Sequence, residues 1–428
     1  MRASFYESDI TPPLGGYMWG YYRKQLAADV VDRLYARALV VEQDGTYAAF
    51  VTVDTCVIPP QMHQIVTDRI TEYTGLKPES VCISSNHTHR GAPVFSSPEV
   101  NCFADASYTD VFFRLVADAV ILAYLRLDES EAKVRFGKTE VPGIAFNRDG
   151  ILENGTYVTH IRGRENVNAV LGGKDESLSF MLFEKEGKPI GAIANFACHQ
   201  DCTSGIYKRG YTGDYASVLA QKLKETYGHE FVTVFLLGTC GDINNSNHDS
   251  SVIPPENQYR LIGEQLAKAL VETVPSAEKT EGKVAVIKEV IRIPRRIAEG
   301  DQVADLIGQY SKSASQMRLR NFLYYQVSNE AACTELYVQG IRIGQVCILA
   351  LPGEVYVDIG LELKRRSPFA QTIVVENCNS YCGYIPTKKA FDDCSDLYET
   401  SLCYHSCHVP EAGEMLTEKA LEIGERLL

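Results

Sequence analysis

The chain has 428 residues, of which 45% are hydrophobic and 23% are charged, a composition typical of soluble globular proteins rather than disordered or membrane proteins. Its formal net charge of -13 opposes binding to nucleic acid and anionic membranes, because both require clusters of Lys and Arg. We therefore expect a small-molecule substrate, no nucleic-acid partner and no stable membrane association. The sequence leaves open whether the protein forms a homo-oligomer.

The beginning of the chain has no basic leader followed by an apolar segment. No uninterrupted apolar run reaches the roughly 18 residues that spanning a bilayer requires. The 13 cysteines are an odd number in a chain without an export signal, so reduced thiols are expected. Together these features predict a cytoplasmic protein.

Short apolar strands alternate with helical periodicities along the chain. The predicted strands are 37–41, 48–53, 81–84, 190–197, 231–237, 341–351 and 372–376. The predicted helices are 60–73, 108–127, 215–227, 257–273, 299–326 and 413–427. Strands that are apolar on both faces indicate a covered sheet, so the pattern predicts an α/β fold with a mixed β-sheet core covered by helices.

The passage 135–183 contains seven glycines and is predicted to be loop-rich and near the functional site. No segment has the composition of a linker, and we find no internal repeat in the sequence. The sequence therefore predicts a single elaborate domain over residues 1–428.

The first motif with chemical meaning runs from Ser84 to Gly91 and follows a buried-looking strand. Ligands usually bind at the carboxyl ends of strands in open α/β sheets. His87 and His89 are two residues apart, and an extended backbone would direct both imidazoles to the same side. The pattern favours a metal ligand beside an acid or base, whereas a lone histidine would more often be structural.

Two further motifs also place a ligand type where an apolar strand stops. His199 ends the segment Asn195–His199, and Glu354 follows a Pro-Gly turn. Alone, each has a plain structural explanation, since a buried histidine can bond to the backbone and a glutamate can begin a helix. Their repetition at strand ends favours a shared site.

Taken in chain order from Asp9 to about His405, these motifs resemble the catalytic domain of the neutral ceramidase family. Members of that family are zinc amidases that split the N-acyl bond of ceramide. The matching segments are His87 to Gly91, Asn195 to His199, Pro352 to Glu354 and Asn379 to Tyr384. The resemblance implies one zinc ion per chain, with His87, His199, Glu354 and Tyr384 as its ligands.

The resemblance also implies roles around the metal. Asn147 and Arg148 match an active-site Asn-Arg pair, and His89 is the expected proton shuttle. Tyr398 matches a tyrosine that faces the substrate carbonyl, although its spacing from Tyr384 is two residues longer here than in the family. Arg148 and Tyr398 are therefore expected to stabilise an oxyanion.

One departure from the family bears on mechanism. Asn244 stands where the family carries a serine that is important for activity. An amide cannot be a nucleophile, so hydrolysis would depend on metal-activated water. We include Asn244 among the catalytic residues, and expect Asn147, Asn245 and Trp19 to bind substrate, Trp19 because its aromatic run can form a lip with stacking rings.

A second departure concerns the substrate. The chain ends at Leu428, without the family's C-terminal immunoglobulin-like domain, and we expect no membrane-docking surface. The predicted site loops are rich in Asn, Asp, His and Tyr. We therefore expect a zinc-dependent hydrolase that cleaves an amide of a small soluble substrate rather than ceramide.

Two other functions remain open from the sequence. A metal-dependent lyase or isomerase for a sugar-like polyol would suit the polar loop that contains Asn244, Asn245, Asn247, His248 and Asp249. A non-enzymatic protein could instead hold zinc in its thiol-rich tail. The residues of that tail are Cys394, Cys403, His405, Cys407 and His408.

Overall fold

The computed structural model describes residues 1–20, 24–97, 102–161, 164, 166–203, 209–245, 257–312, 317–328 and 331–428. Within these ranges, three main β-sheets carry the fold.

The first sheet has the order β1 (Arg2–Asp9), β2 (Tyr35–Gln43), β3 (Thr46–Val53) and β4 (Val81–Ser85). Its first three strands are antiparallel neighbours, and β4 joins β3 in parallel. A parallel neighbour requires a crossover, and helix α1 (Pro60–Thr74) provides it. Helix α2 (Ala106–Leu125) follows β4; the side chain of Asp105 caps its first backbone amides.

The second sheet repeats this order with β5 (Ala132–Glu140), β6 (Ser177–Lys185), β7 (Lys188–Phe196) and β8 (Val232–Leu237). Strands β7 and β8 are parallel, and helix α3 (Asp214–Tyr227) joins them. Helix α4 (Gln258–Thr273) follows, and a short strand, Glu278–Thr280, extends the sheet beside β5.

The third sheet has the order β9 (Val284–Pro294), β10 (Cys333–Ile343), β11 (Val346–Ala350) and β12 (Gln371–Val375). Between β9 and β10 lie α5 (Asp301–Ser311) and α6 (Met317–Ser328). Helix α7 (Val357–Arg366) joins the parallel strands β11 and β12. Two helices follow β12, namely α8 (Lys388–Asp393) and α9 (Ala412–Arg426).

The core lies between the three sheets. One buried cluster contains Phe50 of the first sheet, Ile193 of the second and Ile348 of the third, all fully buried. Helices α1 and α2, α3 and α4, and α7 and α9 pack in pairs and cover the outer faces of the three sheets. The predicted mixed α/β fold with a helix-covered sheet core is thus confirmed. In the described part of the chain, no helix combines the length and the apolar character needed to cross a bilayer.

The three sheets share one topology. We call each sheet with its helices a unit: the first unit is 2–125, the second unit is 132–273 and the third unit is 284–426. Each unit runs through three antiparallel strands, a helix, a parallel fourth strand and a further helix. The expectation of no internal repeat therefore misses a repeat in topology. Many different side chains satisfy the same apolar pattern, so repeated architecture need not leave repeated sequence.

The passage 135–183 also differs from expectation, since it contains the long strands β5 and β6 as well as loops. Gly137 lies inside β5, opposite Phe180 of β6. A Cβ atom there would lie 2.9 Å from Cζ of Phe180. This glycine therefore permits close packing across the strands rather than ending one.

Two predicted elements are each divided in the structure. The predicted strand 341–351 includes a hairpin turn, because Gly344 adopts a positive φ of 60° between β10 and β11. The predicted helix 299–326 corresponds to α5 and α6.

Candidate metal centre and surrounding cavity

The three units each direct one ligand-type side chain to a common place. His87 follows β4, His199 follows β7 and Glu354 follows β11. One ligand atom from each lies within 4.8 Å of the others, and all three residues are buried. The sheets thus meet at the edge where strand carboxyl ends position ligands.

The backbone at His87 is left-handed, with a φ of 63°, rather than extended as the sequence suggested. Strand β4 ends at Ser85, so the chain turns before the histidines. A non-glycine residue in this conformation is strained, and such residues cluster at functional sites. His89 still lies beside His87, with 3.3 Å between their Nε2 atoms.

Backbone carbonyls hold the Nδ1 atoms of both ligand histidines. Nδ1 of His87 lies 2.7 Å from the carbonyl oxygen of Cys56. Nδ1 of His199 lies 2.8 Å from that of Cys240 and 3.0 Å from that of Ile243. A carbonyl can only accept, so the hydrogen-bond geometry assigns the proton to Nδ1 and leaves a lone pair on each Nε2.

The Nε2 atoms face a carboxylate oxygen. Oε2 of Glu354 lies 3.3 Å from Nε2 of His87 and 3.5 Å from Nε2 of His199. This oxygen is buried and has no hydrogen-bond partner among the described residues. Three lone pairs that converge on one point repel one another unless a cation lies between them. The donor set therefore fits a metal ion, since two neutral imidazoles and a carboxylate are common zinc ligands.

The electrostatics of this group agree with that interpretation. Burial favours the neutral carboxyl, yet His87 and His199 hold the pKa of Glu354 well below its usual value. Burial also opposes charge on His87, but Cys56 and Glu354 raise its pKa well above the usual value. The carboxylate thus favours positive charge beside His87, whereas burial and the neighbouring Arg148 lower the pKa of His199 to about 4 and keep that imidazole neutral.

Two tyrosines flank Glu354. The short strands Glu354–Val355 and Tyr384–Ile385 pair in parallel, which places Tyr384 directly across from Glu354. Burial and the nearby Glu354 raise the pKa of Tyr384 well above its usual value, so a phenolate here requires a cation. The hydroxyl of Tyr381 donates to Oε1 of Glu354 at 2.9 Å and thereby orients the carboxylate.

Arg148 lies beside the metal-binding group. Its Nε donates to Oε1 of Glu399 at 2.8 Å, and its Nη1 lies 3.4 Å from Nε2 of His199. The hydroxyl of Thr159 donates to the other oxygen of Glu399 and accepts from the backbone amide of Tyr398, at 3.0 and 3.1 Å. A buried ion pair with these bonds holds the guanidinium in one place.

Tyr398 reaches the site despite the longer spacing in sequence. Its ring centroid lies 5.4 Å from that of Tyr384 and 4.6 Å from that of His405, on which it stacks. The sequence placed His405 in a thiol-rich tail, whereas the structure places it in the wall of the site. Among the described residues, the thiols and imidazoles of that tail do not form a group with metal-binding spacing.

A cavity of about 380 Å³ opens above the metal-binding group. Five residues for which the sequence predicted substrate or catalytic roles line it, and those roles stay predictions: Trp19, His89, Arg148, Asn244 and Tyr398. The ring centroids of Trp19 and Phe95 lie 4.7 Å apart, and the two rings form an apolar wall.

Asn147 and Asn245 do not line this cavity. The side-chain amide of Asn147 donates to Asp242 at 2.6 Å and to the carbonyl of Gly173 at 3.2 Å. Asn245 is buried, and its carbonyl oxygen accepts from the side chain of Gln258. Their placement supports positioning of the loops rather than the predicted contact with substrate. The residues Asn247, His248 and Asp249 lie outside the described residues.

Sequence reasoning missed several cavity residues. They are Cys56, Val57, Phe95, Ser97, His160, Asp201, Met317, Tyr381 and Tyr404. Tyr381 was detectable, because it lies within the Asn379–Tyr384 motif. His160 carried no motif; it has a strained φ of 61°, and its neighbours Thr159 and Ile161 bond to the Glu399 and Arg148 pair.

Fold and site together define a mixed α/β protein with a buried group of two histidines and one glutamate that could hold a metal ion. Residues 5–251 match the family described as neutral/alkaline non-lysosomal ceramidase, N-terminal. This match spans more than half of the chain, and the chain belongs to that family.

Individual relatives are distant. The neutral ceramidase of Pseudomonas aeruginosa is 26% identical over 192 residues, which are 42% of this chain and 27% of that protein. The crystal structure of neutral ceramidase from Pseudomonas aeruginosa has a TM-score of 0.76 at 19% identity, covering 100% of this chain and 74% of that one. A ceramidase complexed with C2 has a TM-score of 0.78 at 18% identity, with coverages of 100% and 75%. At these identities the structural likeness establishes the fold.

Proposed function

We propose that this chain is a zinc-dependent amidase that hydrolyses a small amide. The observation that carries the proposal is the convergence of His87, His199 and Glu354, with their lone pairs facing one another, at the floor of a cavity beside Arg148. Membership of a family described by the name ceramidase supports amide hydrolysis. The proposed ligand set is completed by Tyr384.

A zinc ion held by these residues would polarise a carbonyl and lower the pKa of a bound water to roughly 7. His89 would handle the proton. Burial and the neighbouring His87 and His199 lower the pKa of His89 well below its usual value, so its imidazole is neutral at pH 7. Its Nε2 can accept the proton of the attacking water and return it to the amine as the C–N bond breaks.

Arg148 and Tyr398 would stabilise the oxyanion. The guanidinium is already oriented by Glu399, and preorganised donors need little rearrangement during reaction. Asn244 lies in the cavity wall and can hydrogen-bond to substrate, but it cannot carry an acyl group. Direct attack by water is the consequence.

The cavity supports a compact, amphipathic substrate. Its volume of about 380 Å³ is at the lower end of the 300–1,000 Å³ that is usual for ligand pockets. Trp19 and Phe95 offer an apolar surface, and Asp201, Asn244 and His160 offer polar groups. We propose an amide with a short acyl or aryl part and a polar amine part.

The first experiment asks whether water enters the product. Metal-loaded protein is incubated with pooled soluble amides and glycosides in ¹⁸O-labelled water, with Glu354→Gln as the matched control. We expect one ¹⁸O atom per acid product, loss of turnover on chelation and its return with zinc. Product formed without solvent oxygen would instead indicate a lyase or isomerase and contradict the proposal.

The second experiment concerns substrate size. Long-chain ceramide in detergent micelles is compared with short-chain amides of the same amine. We expect the short amides to reach a kcat/KM of about 10⁴ M⁻¹s⁻¹ or more, the lower end of ordinary enzymes, and ceramide to fall well below it. The reverse order would retain the amidase chemistry but overturn the proposed substrate class.

A further inference from the structure

Cys56 occupies the place in the first unit that metal ligands occupy in the other two. The third strand of each unit ends at Val53, Phe196 and Ala350. His199 follows its strand end by three residues, Glu354 follows by four, and Cys56 follows by three. The repeated topology therefore directs a third ligand-type side chain towards the same centre.

The thiol of Cys56 is close to both histidines of the first motif. Its Sγ lies 3.6 Å from Nδ1 of His87. One ligand atom each from Cys56, His87 and His89 lies within 4.8 Å of the others. The carbonyl of Cys56 accepts from Nδ1 of His87 at 2.7 Å and from Ser85 at 3.0 Å, so its backbone is held against the site.

We propose that Cys56, His87 and His89 form a second, inhibitory position for a thiophilic divalent cation such as Cd²⁺. A thiolate with two imidazoles prefers softer cations than a site whose third ligand is a carboxylate. Binding replaces the proton of the Cys56 thiol with the cation, and the proton passes to solvent.

The two positions exclude each other. His87 belongs to both groups, and a neutral imidazole has a single lone pair, so His87 can bind only one cation at a time. A cation that takes His87 together with Cys56 withdraws it from His199 and Glu354. A soft metal would thus inhibit by relocating a ligand as well as by exchange within the first position.

Cadmium titration of the metal-free protein tests this inference. The readout is the ultraviolet thiolate-to-cadmium charge-transfer band, compared between Cys56→Ser and Cys347→Ser, which changes a buried thiol in β11. All proteins carry Cys333→Ser, because Cys333 is exposed. We expect Cys56→Ser to lose at least half of the band and Cys347→Ser to keep it. An equal band in all variants would overturn the inference.

A second measurement needs no substitution at Cys56. The ¹¹³Cd NMR shift of the first equivalent bound to the otherwise unaltered chain reports whether sulfur is a ligand, and a shift typical of nitrogen and oxygen alone would overturn the inference. In the zinc-loaded enzyme, we expect the Cd²⁺ concentration for half-inhibition to rise at least tenfold in Cys56→Ser. Only this inhibition measurement, in which Cd²⁺ competes with zinc, rests on the proposed function. Absence of amidase activity would contradict the proposed function without affecting the two spectroscopic results.

Discussion

At the scale of single residues, the metal-binding group depends on where each imidazole proton is held. Backbone carbonyls fix Nδ1 of His87 and His199, and Glu354 closes the group. Metal affinity should therefore be sensitive to each ligand and also to the groups that orient them.

We expect His87→Ala and His199→Ala to lose most of the bound metal, because each removes one of four proposed ligands. His229→Ala is the matched control, since the His229 side chain is 92% exposed and is not one of the proposed ligands. Elemental analysis of the purified proteins checks this. Full metal content in both ligand variants would contradict the assignment of the site.

Tyr381→Phe tests orientation of a ligand. It removes the hydroxyl that donates to Glu354 and leaves the ring, so we expect metal affinity to fall by about 10-fold to 100-fold. Competition with a chromophoric chelator measures the affinity, and Tyr73→Phe, at an exposed residue of α1, is the control. Unchanged affinity would mean that Glu354 is held without this bond.

Single residues of the site could be predicted from the sequence where a motif marked the end of a strand. His87, His199 and Glu354 were identifiable because ligand-type residues recur there. Asn147 was misplaced because an asparagine can serve the backbone or a ligand equally well, and only the 2.6 Å contact with Asp242 distinguishes the two. His160 and Asp201 are brought to the cavity by loop conformation, for which the sequence has no periodic signal.

At the scale of elements, one partly buried lysine connects the third unit to β4, the strand that precedes His87. Lys288 in β9 donates to the carbonyls of Val81 and Pro78 at 2.8 and 3.2 Å, and it lies 2.5 Å from Nε2 of His63. Burial lowers the pKa of Lys288 to about 8.

This pKa predicts how stability depends on pH. The folded pKa is lower than the unfolded value of about 10.4, so between them the unfolded state binds more protons and stability rises with pH. We expect Lys288→Met to remove a rise of roughly 2–3 kcal/mol between about pH 8 and about pH 10. Urea unfolding under reducing conditions measures it, with the exposed Lys283→Met as control. A parallel rise in Lys288→Met would assign the effect to other groups.

The helices and most strands of the sheets followed from apolar periodicity, because the core selects for it directly. The hairpin at Gly344 and the break between α5 and α6 did not, since a turn inside an apolar run changes direction without changing hydrophobicity. The repeated topology of the three units could not be predicted from the sequence either, because each unit buries different side chains in the same arrangement of strands and helices.

At the scale of the whole molecule, the metal-binding group connects all three units. Each of His87, His199 and Glu354 comes from a different unit, so the proposed ion would contribute to the association of the units as well as to chemistry. A ligand that binds only the folded state stabilises it by about 2.7 kcal/mol at 100 times its Kd.

We therefore expect chelation to lower the midpoint temperature of thermal unfolding. We also expect it to increase hydrogen exchange of backbone amides in all three units. Calorimetry with and without chelator measures the midpoint, and hydrogen exchange shows whether the amides of β4, β7 and β11 lose protection together. His199→Ala should show little further change on chelation. Complete metal removal with an unchanged midpoint would contradict a structural contribution of the ion.

The distribution of ligands over the three units also has a consequence during synthesis on the ribosome. About 270 residues separate His87 from Glu354, which at about 5–20 residues per second takes on the order of 10–50 s to translate. Through that interval the nascent chain presents histidines without the carboxylate that completes their site. If the proposed site binds its metal with all of these ligands, metal loading is confined to the nearly finished polypeptide, and incomplete translation products cannot assemble the proposed active centre.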